Sequence, residues 1–130
     1  MSVSVLLGKI LSGIEIAKNR EIIFTTREGE KYKLYHMQDC CESVWIGDIE
    51  GDLLDLIGSP LLQAEETVNP RQHNDYGTST WTFYKFATIK GYVTIRWIGE
   101  SNGYYSESVD FIKANKDGRF LAWYEEDDDE

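Results

Sequence analysis

No stretch of this 130-residue chain stays apolar over the ~18–20 residues that a membrane span needs. Its opening, Met1–Lys9, carries Val3, Val5, Leu6 and Leu7 but lacks the basic-then-apolar layout of a signal peptide. Both absences predict a cytoplasmic protein with no membrane partner. Cations are missing from the middle of the chain. Leu34–Pro70 holds eight acids (Asp39, Glu42, Asp48, Glu50, Asp52, Asp55, Glu65 and Glu66) and no Lys or Arg. Phosphate binding depends on cations, so this stretch argues against direct nucleic-acid binding across its surface. Cysteine and histidine number two each, and Cys40-Cys41 with His36 and His73 fit none of the usual zinc spacings, so no metal site is expected. A Gly-x-Ser-x-Gly elbow, a phosphate loop, His-Glu-x-x-His and a dinucleotide fingerprint are all absent. No catalytic residue and no cofactor can be assigned on that basis.

The formal charge is −10, and six of the acids form the terminal run Glu125–Glu130. The remaining chain has 17 acids and 13 bases, so the tail carries most of the imbalance. Adjacent like charges repel and offer nothing to a core, which predicts a disordered acidic tail at 125–130 after a single β-rich domain at 1–124. Apolar residues make up 42% and aromatics 13%, enough for one contiguous core. The acidic middle reads first as a solvated face that aids solubility. Its alternative use is to meet a basic protein, through Asp48, Glu50, Asp52 and Asp55.

Periodicity predicts mostly antiparallel β-sheet with one short helix, an α+β fold. Leu11–Ala17, Glu21–Thr26 and Lys31–His36 are separated by turn-forming residues and read as a three-stranded meander. Glu42–Ile49 reads as a strand. Asp48–Ile57 is the helix candidate, because Ile49, Leu53, Leu56 and Ile57 recur at helical spacing before Gly58-Ser59-Pro60. Pro60–Val68 supplies another strand, and Asn69–Ser79 is a long loop of the kind that serves function, such as a lid. Thr80–Thr88, Tyr92–Ile98 and Tyr104–Phe111 follow as strands, and Phe120–Tyr124 adds a short one.

Strand register gives a candidate site. A three-residue loop at Ser101-Asn102-Gly103 pairs Ile95 with Val109 and Val93 with Phe111, which keeps apolar residues together. In the preceding hairpin, Phe86 opposes Ile95 and Tyr84 opposes Trp97. The other face then bears Trp81, Phe83, Lys85, Tyr92, Thr94, Arg96, Tyr104, Ser106 and Ser108, with Lys85 directly opposite Arg96. Such a pair costs up to ~1 kcal/mol. Asp110, diagonal to Arg96, relieves that cost, or an anionic ring-containing ligand does so by lying on Trp81, Tyr92 and Tyr104. The competing reading covers this face with the helix or another sheet.

Two further features stand out. Cys40-Cys41 can form a vicinal disulfide, bind metal or simply pack, and packing is the expectation. Glu107 is the one carboxylate that this register puts on the apolar face, where burial raises its pKa as a general acid requires.

The Asp-Cys-Cys-Glu-Ser-Val segment at 39–44 and the Gly-Glu-Ser-Asn-Gly-Tyr-Tyr-Ser-Glu-Ser-Val segment at 99–109 carry a resemblance. Across residues 5–111 the chain resembles a family of short uncharacterised bacterial and bacteriophage proteins. That resemblance implies a genomic setting and supplies no catalytic residue to carry over. The expected function is non-enzymatic binding by a phage or mobile-element accessory, with an anti-defence role as one form of it. Its partner is a host protein, met by the acidic segment, or a nucleotide-like small molecule, held at Trp81, Lys85, Tyr92, Arg96 and Tyr104. A small enzyme acting on an anionic substrate is the alternative, and self-association is left open.

Overall fold

A computed structural model describes residues 1–120. The described residues form nine strands in two antiparallel sheets: β1 (Leu11–Ala17), β2 (Glu21–Thr26), β3 (Lys31–Tyr35), β4 (Ser43–Glu50), β5 (Gln63–Val68), β6 (Gln72–Asn74), β7 (Gly77–Thr88), β8 (Gly91–Ser101) and β9 (Asp110–Lys113). One sheet runs β1-β2-β3-β9 and the other β4-β8-β7-β5, with β6 paired to the start of β7. Among the described residues no helix is long and apolar enough to cross a membrane.

The first three strands are the expected meander. Alternation in Glu21–Thr26 sends Ile22, Phe24 and Thr26 inward, and Tyr32 and Leu34 do the same on β3. The second sheet turns Tyr84, Phe86, Val93, Ile95 and Trp97 toward them, so both inner faces share one core. Phe24 meets Phe86 across it, with ring centroids 5.4 Å apart. The N-terminal segment contributes too. Ser2 caps a 3-10 turn at Val3–Leu6 that buries Val3 and Leu6.

The expected helix at 48–57 is absent; only a single 3-10 turn forms, at Leu53–Leu56. Two features imitate helical spacing there. A β-bulge between Ile46 and Asp48 lets both Ile46 and Ile49 lie opposite inward-facing residues of β8. Gly51 then turns the chain at φ +99°, where a Cβ would lie 2.4 Å from the Tyr92 carbonyl oxygen. Any side chain at 51 would therefore clash with the backbone of β8, and the strand has to end. Leu53, Leu56 and Ile57 reach the core from the turn beyond it.

The last hairpin also differs. The chain leaves β8 at Ser101 and bends through 102–105, and only Asp110–Lys113 pairs, antiparallel to β3 in the opposite sheet. Ile95 and Val93 therefore oppose Tyr84 and Phe86, not Val109 and Phe111. The Ser-Glu-Ser-Val-Asp run alternates because Glu107 points into a polar nest, an alternation that imitates a strand. Residues 69–79 are no free lid, since β6 and the start of β7 continue the sheet as a hairpin. Phe120 lies outside any strand; the rest of the Phe120–Tyr124 strand and the 125–130 tail fall outside the described residues.

Candidate functional site

The hairpin β7–β8 closes through Ile89-Lys90, with Thr88 opposite Gly91. Phe86 opposes Val93 and Tyr84 opposes Ile95, a register shifted by two residues from the expected one. A two-residue shift preserves which face each side chain takes. Trp81, Phe83, Lys85, Tyr92, Thr94 and Arg96 therefore share the outer face, away from the core. Trp45 joins them from β4, opposite Ile98, which in turn opposes Trp81. Trp81 is 37% exposed and Tyr92 69% exposed, so this face is open to solvent.

The shift changes the electrostatics. Lys85 opposes Thr94 and Arg96 opposes Phe83, so the two cations are not directly across from each other. Each instead faces an acid on an edge strand: Asp48 opposes Arg96, and Glu65 opposes Lys85. Glu50 opposes Thr94 in the row between. The Arg96 guanidinium lies 4.8 Å from the Trp81 ring centroid. Its Nε is buried with no hydrogen-bond partner among the described residues. Gly47, at the bulge, lies against the neighbouring Ile98, since a Cβ there would come 2.6 Å from Ile98 Cδ1.

Four residues expected at these surfaces are elsewhere. Tyr104 is 88% exposed in the bend after β8 and belongs to no strand. Asp52 accepts from the Leu54 N–H as the cap of the 3-10 turn, and Asp55 sits in that turn with its Oδ2 2.8 Å from where a Gly91 Cβ would be. Asp110 is on β9, opposite Tyr35, and accepts from the Met37 N–H, so it does not relieve Arg96.

Sequence reasoning missed a second assembly, at the end of the sheet where the loops meet. Glu42 is buried, and its carboxylate accepts from the N–H groups of Asp39 (2.8 Å) and Cys40 (2.9 Å) and from His36 Nε2 (2.6 Å). His36 Nδ1 lies 2.7 Å from the Ser108 carbonyl oxygen. The ring thus spans the 36–42 loop and the 101–109 loop. Burial alone would raise the Glu42 pKa; donation from His36 and the two backbone N–H groups outweighs it and holds the carboxyl at about 2.

Glu107 is the counterpart in the second loop. Its oxygens accept from the hydroxyls of Thr78, Thr80 (2.7 Å) and Ser101, and Arg71 lies 3.3 Å away. Arg71 also donates to the carbonyls of Gly103 and Tyr105. Gly99 allows the close approach, since a Cβ there would lie 2.6 Å from the Glu107 carbonyl oxygen. Burial pushes this carboxyl up, but the Ser101, Thr78 and Thr80 hydroxyls and the Arg71 charge bring it below its ordinary value. Glu107, a candidate general acid on its burial alone, is instead an ionised carboxylate that anchors its loop. The sequence did hold a signal: Glu-Ser-Val occurs twice, at 42–44 and 107–109, and each Glu anchors its loop.

Cys40 and Cys41 are exposed and joined by a vicinal disulfide, which corrects the packing expectation. Among the described residues no group of three or more His, Cys, Asp or Glu is placed to hold a metal ion.

These features define a two-sheet β-protein with an open aromatic outer face and two carboxylate-anchored loops. Residues 4–111 match the family model of a domain of unknown function, DUF7448, and the chain belongs to that family. The match includes both Glu-Ser-Val loops and the whole outer face. No curated protein and no solved structure matches the chain.

Proposed function

We propose that this is a non-enzymatic binding protein whose outer sheet face docks a protein partner and blocks or sequesters it. The observation that carries this reading is an aromatic outer surface, with Trp81 and Tyr92 exposed and Trp45 and Phe83 half-buried, bordered on both edge strands by acids, Asp48, Glu50 and Glu65. An aromatic centre inside a charged rim is the usual anatomy of a protein interface. The rim is acidic, so the complementary partner carries Lys or Arg around an apolar patch. Asp48 and Glu50, expected to meet a basic protein, and Trp81, Lys85, Tyr92 and Arg96, expected to hold a ligand, serve one surface in this reading. An anionic nucleotide-like ligand is disfavoured, because Asp48 and Glu65 oppose the two cations it would need. We place the protein in the host cytoplasm as a phage or mobile-element accessory, anti-defence activity being one form of that role, on the strength of the resemblance carried by its two loop segments.

The test is affinity capture from the host, read by quantitative mass spectrometry, with wild type and Trp81→Ser/Tyr92→Ser compared after matched stability. A basic protein enriched by wild type and lost with the variant supports the reading. Equal capture by both, or native mass spectra showing a retained nucleotide in place of a protein, refutes it.

A further inference from the structure

We infer that Cys40–Cys41 is a reversible dithiol–disulfide site, a substrate for dithiol reductants, and that its state sets the conformation of the loop it occupies. Three observations converge. First, a disulfide stabilises a fold mainly by closing a chain loop in the unfolded state, and the gain grows with loop length. A bond between sequence neighbours encloses no intervening residues, so stability does not account for it. Second, both residues are exposed, where a thiolate from solution can approach them. Third, the loop is tied to the rest of the molecule through this backbone. The Cys40 N–H donates to Glu42 Oε1, and the Cys40 carbonyl accepts from Gln38 Nε2 at 3.2 Å.

The bond closes a small ring through the Cys40–Cys41 peptide and so fixes the dihedrals that present both of these groups. Opening the ring frees that peptide and weakens its hold on Glu42. Glu42 in turn holds His36, which reaches the Ser108 carbonyl of the neighbouring loop. Cys41 also lines a cleft of about 440 Å³ with Ser43, Asn74, Tyr76 and Glu100, so the redox state changes the wall of that cleft.

The chemistry balances as ordinary exchange. A reductant thiolate attacks one sulfur and forms a mixed disulfide, and the other cysteine leaves as a thiolate that takes up a proton. The reductant's second thiol then displaces the first cysteine. Two electrons and two protons move to the protein, and the reductant ends as its own disulfide. In a reducing compartment such a bond is transient and signalling in nature, not structural. This inference stands independently of the outer-face reading.

The experiment is hydrogen exchange by mass spectrometry on the whole protein with and without dithiothreitol, alongside iodoacetamide labelling. Without reductant, neither cysteine is expected to be alkylated. With it, both are, and exchange at residues 37–42 is expected to rise about tenfold as a hydrogen bond is loosened, while the β7–β8 hairpin stays unchanged. The Cys40→Ser/Cys41→Ser variant, exposed at both positions, should show no response to dithiothreitol. Two freely alkylated thiols in protein purified in air, or reduction that leaves exchange at 37–42 unaltered, overturns the inference.

Discussion

Replacing Glu42 by Gln tests the loop assembly through its pH dependence. The carboxyl is buried and titrates at about 2 against an ordinary value of 4.5. At 1.36 kcal/mol per pH unit, that difference corresponds to about 3 kcal/mol favouring the ionised form in the folded protein. The folded value lies below the unfolded one, so the stabilisation is fully present above the unfolded value of 4.5. It is lost as the pH falls through 4.5 toward 2. Glutamine keeps the shape and one acceptor oxygen, which can still take the Cys40 N–H. Its amide nitrogen cannot accept from Asp39 or His36. Urea unfolding of wild type and Glu42→Gln should therefore differ by about 2–3 kcal/mol at neutral pH. The difference should shrink steadily below pH 4.5 and nearly vanish near pH 2. A difference that is constant across pH, or below ~1 kcal/mol at neutrality, would refute an ionised and fully satisfied Glu42.

Other outcomes follow from the same contacts. Glu107→Ala removes the shared acceptor of three hydroxyls and the anion beside Arg71, and should cost about 2–4 kcal/mol in urea unfolding while raising hydrogen exchange in 101–109. Gly51→Ala forces a side chain against the Tyr92 carbonyl at positive φ, and should lower stability by about 2 kcal/mol or more, read as a fall in Tm. Arg96→Met removes the cation over Trp81 and should cost only ~0.5–1 kcal/mol, with a change in Trp81 fluorescence. Asp52→Ala removes the cap of the 53–56 turn and should cost ~1 kcal/mol by thermal unfolding.

The meander was legible because turn formers bound Leu11–Ala17 and Glu21–Thr26 and the second of them alternates, and both strands have the expected limits. The outer face was legible for a different reason. Apolar parity in β7 and β8 decides which way each residue points, and that survives a register error of two. What parity cannot reveal is the identity of the neighbour, so Lys85 and Arg96 were placed opposite each other when each faces an edge-strand acid. Single-residue irregularities also hid from periodicity. The bulge at Gly47 and the turn at Gly51 convert strand and turn residues into an apparent helical repeat. Glu107 was misjudged because burial was visible in the pattern and its hydroxyl partners were not. Thr78, Thr80 and Arg71 come from segments some thirty residues away.

Hydroxyl-radical footprinting of the protein, free and bound to the partner captured from its host, tests the docking claim most directly. The outer-face reading predicts that oxidation of Trp81, Tyr92 and Trp45 falls on binding while Tyr76 and Tyr104, in the loops, stay as reactive as before. Protection of Tyr76 and Tyr104 with Trp81 and Tyr92 unchanged would contradict it.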